Sequence, residues 1–237
     1  MIIRLEKDVF KCSPQLKIGF ILAEGINNNA KLKEAGRLVK EEEEAVRLIF
    51  NKETIKNHYL IAPWAVAQRE FGKKAKHYHT SIERLLLKVL GGKSVLAEDT
   101  ATNLLTHIAF KHIIPFGADD VDKIKGNITF SIVKGKEKKK LLKNLKEGEL
   151  FYHDAEKILG TKLDYWKNKK TKLSKSSASV LVHFEALPPI TRKKLDSVLE
   201  ETAALIKAFC GGKTKVFVLE KRKSVFVLEK KKSSVKV

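Results

Sequence analysis

Cysteine, methionine and proline are scarce in this chain of 237 residues: two Cys (Cys12 and Cys210), one Met and five Pro. Two thiols cannot build a disulfide framework or a four-thiolate metal site, so neither is expected, and a reducing, cytoplasmic setting fits. No apolar run approaches the roughly 18–20 residues that a membrane span needs, so no membrane partner is expected. The stretch MIIRLEKDVF lacks the basic start, apolar middle and cleavage site of an export signal and reads as a first strand. Gly-rich phosphate loops, nucleophile elbows and catalytic cysteine contexts are all missing, which disfavours a conventional nucleophile enzyme. The seven histidines show no zinc spacing: no third ligand follows His77 and His79, and His107 and His112, five apart on a helix, point apart. No metal and no cofactor is expected.

Acids are also short relative to bases. Against 28 Asp and Glu stand 48 Lys and Arg, a formal net charge of +20. Such a field attracts polyanions and speeds their encounter, which makes nucleic acid the first expected partner. A lysine-rich surface that binds nothing in particular is the alternative on composition alone.

What is present reads as an alternation of helices and strands. IIRLEKDVF and LKIGFILAEGI are expected to form a strand pair, with Pro14 marking the turn between them. NNNAKLKEAGRLVKEEEEAVRLIFN has helical apolar spacing, and PWAVAQREFG a proline suited to the first helical position. TSIERLLLKVLGG carries Thr80 and Glu83 at capping-box spacing. ATNLLTHIAFKH is a further helix, capped by Asp99 or Thr100 and ended by Pro115. GNITFSIVKG and ASVLVHFEAL read as strands, the second buried. A lysine-dominated segment from Lys134 to Lys146 reads as a hairpin or excursion, and PPITRKKLDSVLEETAALIKAFCGG as a late helix closed by glycines. The core is expected to occupy residues 1–210 as one domain. Residues 211–237 form a basic β-rich tail in which VFVLEK occurs twice; the copies either fold back or pair with a second copy of the chain, giving a homo-oligomer.

Three stretches, WAVAQREFGKKAKHYHTSIERLLLKVL, IIPFGADDVDKIKGNI and YWKNKKTKLSKSSASVLVHFEALPP, together resemble the B3/4 domain over about residues 8 to 210. That domain houses the editing site in the β subunit of bacterial-type phenylalanyl-tRNA synthetase and also occurs as free-standing proteins. The resemblance implies a three-layer α/β (α+β) fold with mixed sheets flanked by helices. It implies a protein that binds tRNA or aminoacyl-tRNA and could hydrolyse mischarged species in trans. A non-catalytic RNA-binding or small-ligand-binding module of the same fold is the alternative. At the position of Gly117 the synthetase has a histidine, and its asparagine on the preceding helix aligns with Thr106. Its tyrosine-recognising glutamate falls near His183 or Glu185.

Candidate residues follow. Asp119, Asp120 and Asp122 suit a turn or helix start, where carboxylates cap free amides, better than a cation site. Asp120 would orient the backbone of Gly117 and Ala118 beside a pocket for an amino-acid-like ligand, lined also by Asn103, Thr106 and Pro115. His183 is the candidate general base, with Glu185 beside it; an activated ester needs mainly a positioned water and a stabilised oxyanion. Phosphate contacts are expected from Lys73, Lys74 and Lys76 beside Tyr78, and from Lys167, Lys169, Lys170 and Lys172 beside Trp166 and Tyr165. Trp166 could equally be a core residue.

Overall fold

The strand β8 (Ser179–Ala186) organises the molecule because its two faces differ in chemistry. Val180, Val182, Phe184 and Ala186 point to one side, where they pack with apolar residues of three helices. Leu181 points to the other, against a second sheet, and by the two-residue period His183 and Glu185 share that side.

In the computed structural model, the described residues are 1–70, 79–134, 145, 147–161 and 166–228, without the side chains of 67–70. In chain order the elements are β1 (Ile2–Leu5), α1 (Lys7–Cys12), β2 (Lys17–Glu24), α2 (Leu32–Ile49), α3 (Ala62–Glu70), α4 (Ser81–Leu90) and α5 (Thr100–His112). Then follow β3 (Phe116–Asp120), β4 (Ile128–Ile132), β5 (Leu150–His153), β6 (Ile158–Thr161), β7 (Trp166–Lys167) and β8. The chain continues through α6 (Arg192–Cys210), β9 (Lys213–Leu219) and β10 (Val225–Val227).

The fold is α/β, in three layers. A four-stranded antiparallel sheet, in the order β3-β8-β2-β9, separates the helices from a six-stranded mixed sheet, β10-β1-β4-β5-β6-β7, whose β1–β4 pair is parallel. One core lies between sheet and helices, with Leu104, Leu105 and Ile108 of α5 and Leu195, Leu199 and Ile206 of α6. A second lies between the sheets, with Ile3 and Leu5 against Ile18, Phe20 and Leu22. A third joins α2, α4 and α5. Close approach of α6 to β2 depends on Gly19, where an added Cβ would stand 2.6 Å from Leu199 Cδ1. Among the described residues no helix is long and apolar enough to cross a membrane.

The expected helices form, and two of their caps are as read: Thr80 accepts the Glu83 amide and Asp99 the Thr102 amide. The opening strand pair does not form. DVF lies within α1, and β1 and β2 enter different sheets, because Val9 and Phe10 fill the inter-sheet core as one helical turn. The described residues of the two VFVLEK copies fold back within the chain and also divide between the sheets: β9 pairs with β2, β10 with β1. Their phenylalanines, Phe217 and Phe226, stack with ring centroids 3.8 Å apart. Thus residues beyond 210 enter the core.

Candidate functional site

A strand's period of two puts Gly117 and Asp119 of β3 on the face of β8's His183, and the register sets Gly117 directly opposite His183. The sheet across the gap supplies Tyr152 from β5 and Lys167 from β7. Thr171 comes from the short 3-10 turn Lys169–Thr171 that follows β7.

These side chains form one continuous network. His183 Nδ1 lies 2.7 Å from Glu185 Oε1, and its Nε2 3.2 Å from the Tyr152 hydroxyl. The Tyr152 hydroxyl donates to Asp119 Oδ2 at 3.1 Å. Asp119 also accepts from Thr171 Oγ1 at 2.6 Å and from the Lys167 ammonium at 2.7 Å, and Lys167 contacts the Tyr152 hydroxyl itself. Around them the wall is aromatic: Phe130 stacks on Tyr152 at 4.6 Å and, with Phe20, flanks the His183 ring. His183 and Glu185 are each 1% exposed. Lys167, 27% exposed along its side chain, is where this chain of polar groups meets water.

A phenol between an imidazole and a carboxylate supports two proton arrangements. In one, neutral His183 accepts the Tyr152 proton; in the other, His183 donates to the Tyr152 oxygen while that hydroxyl's proton points to Asp119. With Nδ1 keeping its proton toward Glu185, the second arrangement holds one proton more than the first, so the row can take up a proton at Nε2 while only the Tyr152 hydroxyl hydrogen turns to Asp119. Glu185 fixes the ring and favours a proton on Nδ1, the role an acid plays behind a histidine base.

The predicted residues divide. Gly117, His183 and Glu185 lie together, and the Pro115 carbonyl extends the same strand pair by accepting the Glu185 amide at 3.2 Å. Ala118 faces the helices opposite Val182. Asp120 reaches forward, accepting the Asp122 amide and the Ser177 hydroxyl and pairing with Lys123. Thr106 donates to the Thr102 carbonyl of its own helix, and Asn103 holds the Ala97 backbone from both amide atoms. Both belong to α5, in the layer across the sheet from His183. The aspartates also divide: Asp120 caps the turn Val121–Lys123, Asp122 is exposed, and Asp119 is buried in the network.

Trp166 is 47% exposed, and Lys169, Lys170 and Lys172 stand exposed beyond it, close to Lys167 in the chain. Lys167 itself turns inward to Asp119. Lys73, Lys74, Lys76, Tyr78, Tyr165 and His77 lie outside the described residues, as does most of the Lys134–Lys146 segment. Tyr152, Asp119 and Thr171 were missed as site residues. The alternation in LFYH was the available signal, since it puts Leu150 and Tyr152 on one face.

The B3/4 domain model matches residues 64–211, from the start of α3 to the end of α6. The chain belongs to the B3/4 domain family. The match takes in the β3–β8 pair, β5, β7 and the whole network around His183, while β1, β2 and the two C-terminal strands fall outside it. The family links this B3/4 protein to the β subunit of phenylalanyl-tRNA synthetase. No curated protein matches the chain.

Proposed function

We propose that this B3/4 protein binds tRNA, and aminoacyl-tRNA in particular, along the rim of Trp166, Lys169, Lys170 and Lys172, and hydrolyses a mischarged aminoacyl ester at the network around His183. One observation carries the reading. Lys167 sits between an exposed cationic rim with an aromatic platform and a buried histidine backed by a carboxylate. The rim suits phosphates and a stacked terminal base. In the network, His183 would take a proton from water, directly or through Tyr152, and the Lys167 ammonium would face the developing oxyanion. The substrate is already an activated ester, so orientation supplies much of the remaining barrier reduction.

A second reading, binding without hydrolysis, is favoured by the near-complete burial of His183 and Glu185 and by a glycine where the synthetase has a histidine. A deacylation assay over a panel of mischarged tRNAs separates the two. Hydrolysis above buffer that falls by roughly 100-fold in His183→Ala supports catalysis. No acceleration on any member, with retained tRNA binding, leaves the binding module. Absence of tRNA binding removes both.

A further inference from the structure

In the helix layer, α2 carries Lys33, Arg37 and Lys40. At steps of four and three residues they share one helix face, about 6 and 4.5 Å apart along the axis. All three are exposed, and none has an ion-pair partner among the described residues. Other cations nearby do have partners: Arg47 pairs with Glu43, Lys111 with Glu201, and Lys31 donates to the Ala208 carbonyl.

The three cations line a cleft of about 390 Å³ whose remaining wall is Leu32, Gly36, Leu96, Ala97 and Asn103. Leu96 is 43% exposed, and Gly36 keeps the helix surface beneath it open. The loop that presents Leu96 is pinned from below by two buried polar side chains. Glu43 Oε1 accepts the Ser94 hydroxyl at 2.9 Å and the Val95 amide at 2.7 Å. Asn103 accepts the Ala97 amide at 2.8 Å and donates to its carbonyl at 3.1 Å. Burying a carboxylate and an amide costs free energy, so the loop is held in place rather than merely resting there. The result is a preformed cleft with an apolar wall and three cations that have no ion-pair partner among the described residues.

We propose that this cleft is a second RNA-binding site, taking a single-stranded segment with successive phosphates on Lys33, Arg37 and Lys40 and a base or ribose against Leu96. An acidic peptide would satisfy the charges but has less use for the apolar wall. The site shares its RNA ligand with the reading above but none of its residues, so the two fail separately.

The test titrates a short fluorescein-labelled single-stranded RNA into the whole chain by anisotropy over a salt series. The triple variant Lys33→Gln, Arg37→Gln, Lys40→Gln should weaken binding roughly tenfold at low salt and reduce the salt slope by about 2. Leu96→Ser should weaken it a few-fold without changing the slope. All four side chains are exposed, and matching circular dichroism confirms intact folding. Unchanged affinity and slope in the triple variant would overturn the site. If Lys169→Gln, Lys170→Gln, Lys172→Gln still weakens binding, the rim reading survives that result. Loss confined to a polyglutamate probe likewise overturns it, in favour of an acidic peptide. A wild type that binds no RNA overturns both sites.

Discussion

Asp119 is the residue on which the inter-sheet network depends. It is 1% exposed and accepts from Tyr152, Thr171 and Lys167, three groups from the opposite sheet and its following turn. Asp119→Ala would leave two buried hydroxyls and an ammonium without this acceptor, and a loss of about 3 kcal/mol in urea unfolding is expected. A loss below about 1 kcal/mol would mean that the pair behaves as an exposed one. Gly19→Val should cost about 2 kcal/mol by the same measurement, because its Cβ would press on the fully buried Leu199. These contacts were only half legible in the sequence. His183 and Glu185 stand two apart on an alternating strand, so their shared face follows from period alone. Asp119, Tyr152 and Thr171 are brought together by pairing between distant segments, and no local spacing encodes that.

Most helices and strands were legible as elements, since apolar period and caps act locally; the failures lie where a short element could serve either of two sheets. EKDVF alternates well enough for a strand, yet Val9 and Phe10 are buried on one helical turn between the sheets. The repeated VFVLEK has strong strand character, but nothing in it says that one copy joins each sheet. The hairpin they make closes the open edge of the sandwich, with Phe217 stacked between Phe20 and Phe226. Phe217→Ala should therefore cost about 3–5 kcal/mol, and Phe226→Ala less, as its ring is half-buried. A double-mutant cycle on the two should show a coupling of about 0.5–1.5 kcal/mol. Independent effects would mean that the copies pack on the core separately and not on each other.

At the scale of the whole molecule, the excess positive charge lies over layers that hold their few buried acids tightly, and this sets how the fold responds to acid. In the helix layer, α5 carries His107 facing Glu42 and His112 facing Glu201. Burial lowers both imidazoles below the ordinary histidine value of 6.5, assisted by the Lys111 charge. Burial would raise Glu201, but hydrogen bonds from Lys111 and His112 outweigh it and hold that carboxyl below its usual range. An imidazole depressed in the fold binds its proton more readily in the unfolded chain, so stability falls once pH drops below the ordinary histidine value. Glu201 has the same sign in a lower window: its stabilisation is present above the usual carboxylate range and is lost as pH falls through its folded pKa. Glu42, raised mainly by burial, opposes this in part. Thermal melting should therefore decline from about pH 7.5 to about pH 5.5, before carboxylates titrate in bulk. The double variant His107→Gln, His112→Gln should be flatter across that interval. Equal slopes in variant and wild type would place the acid sensitivity elsewhere than in the contact of α5 with α2 and α6.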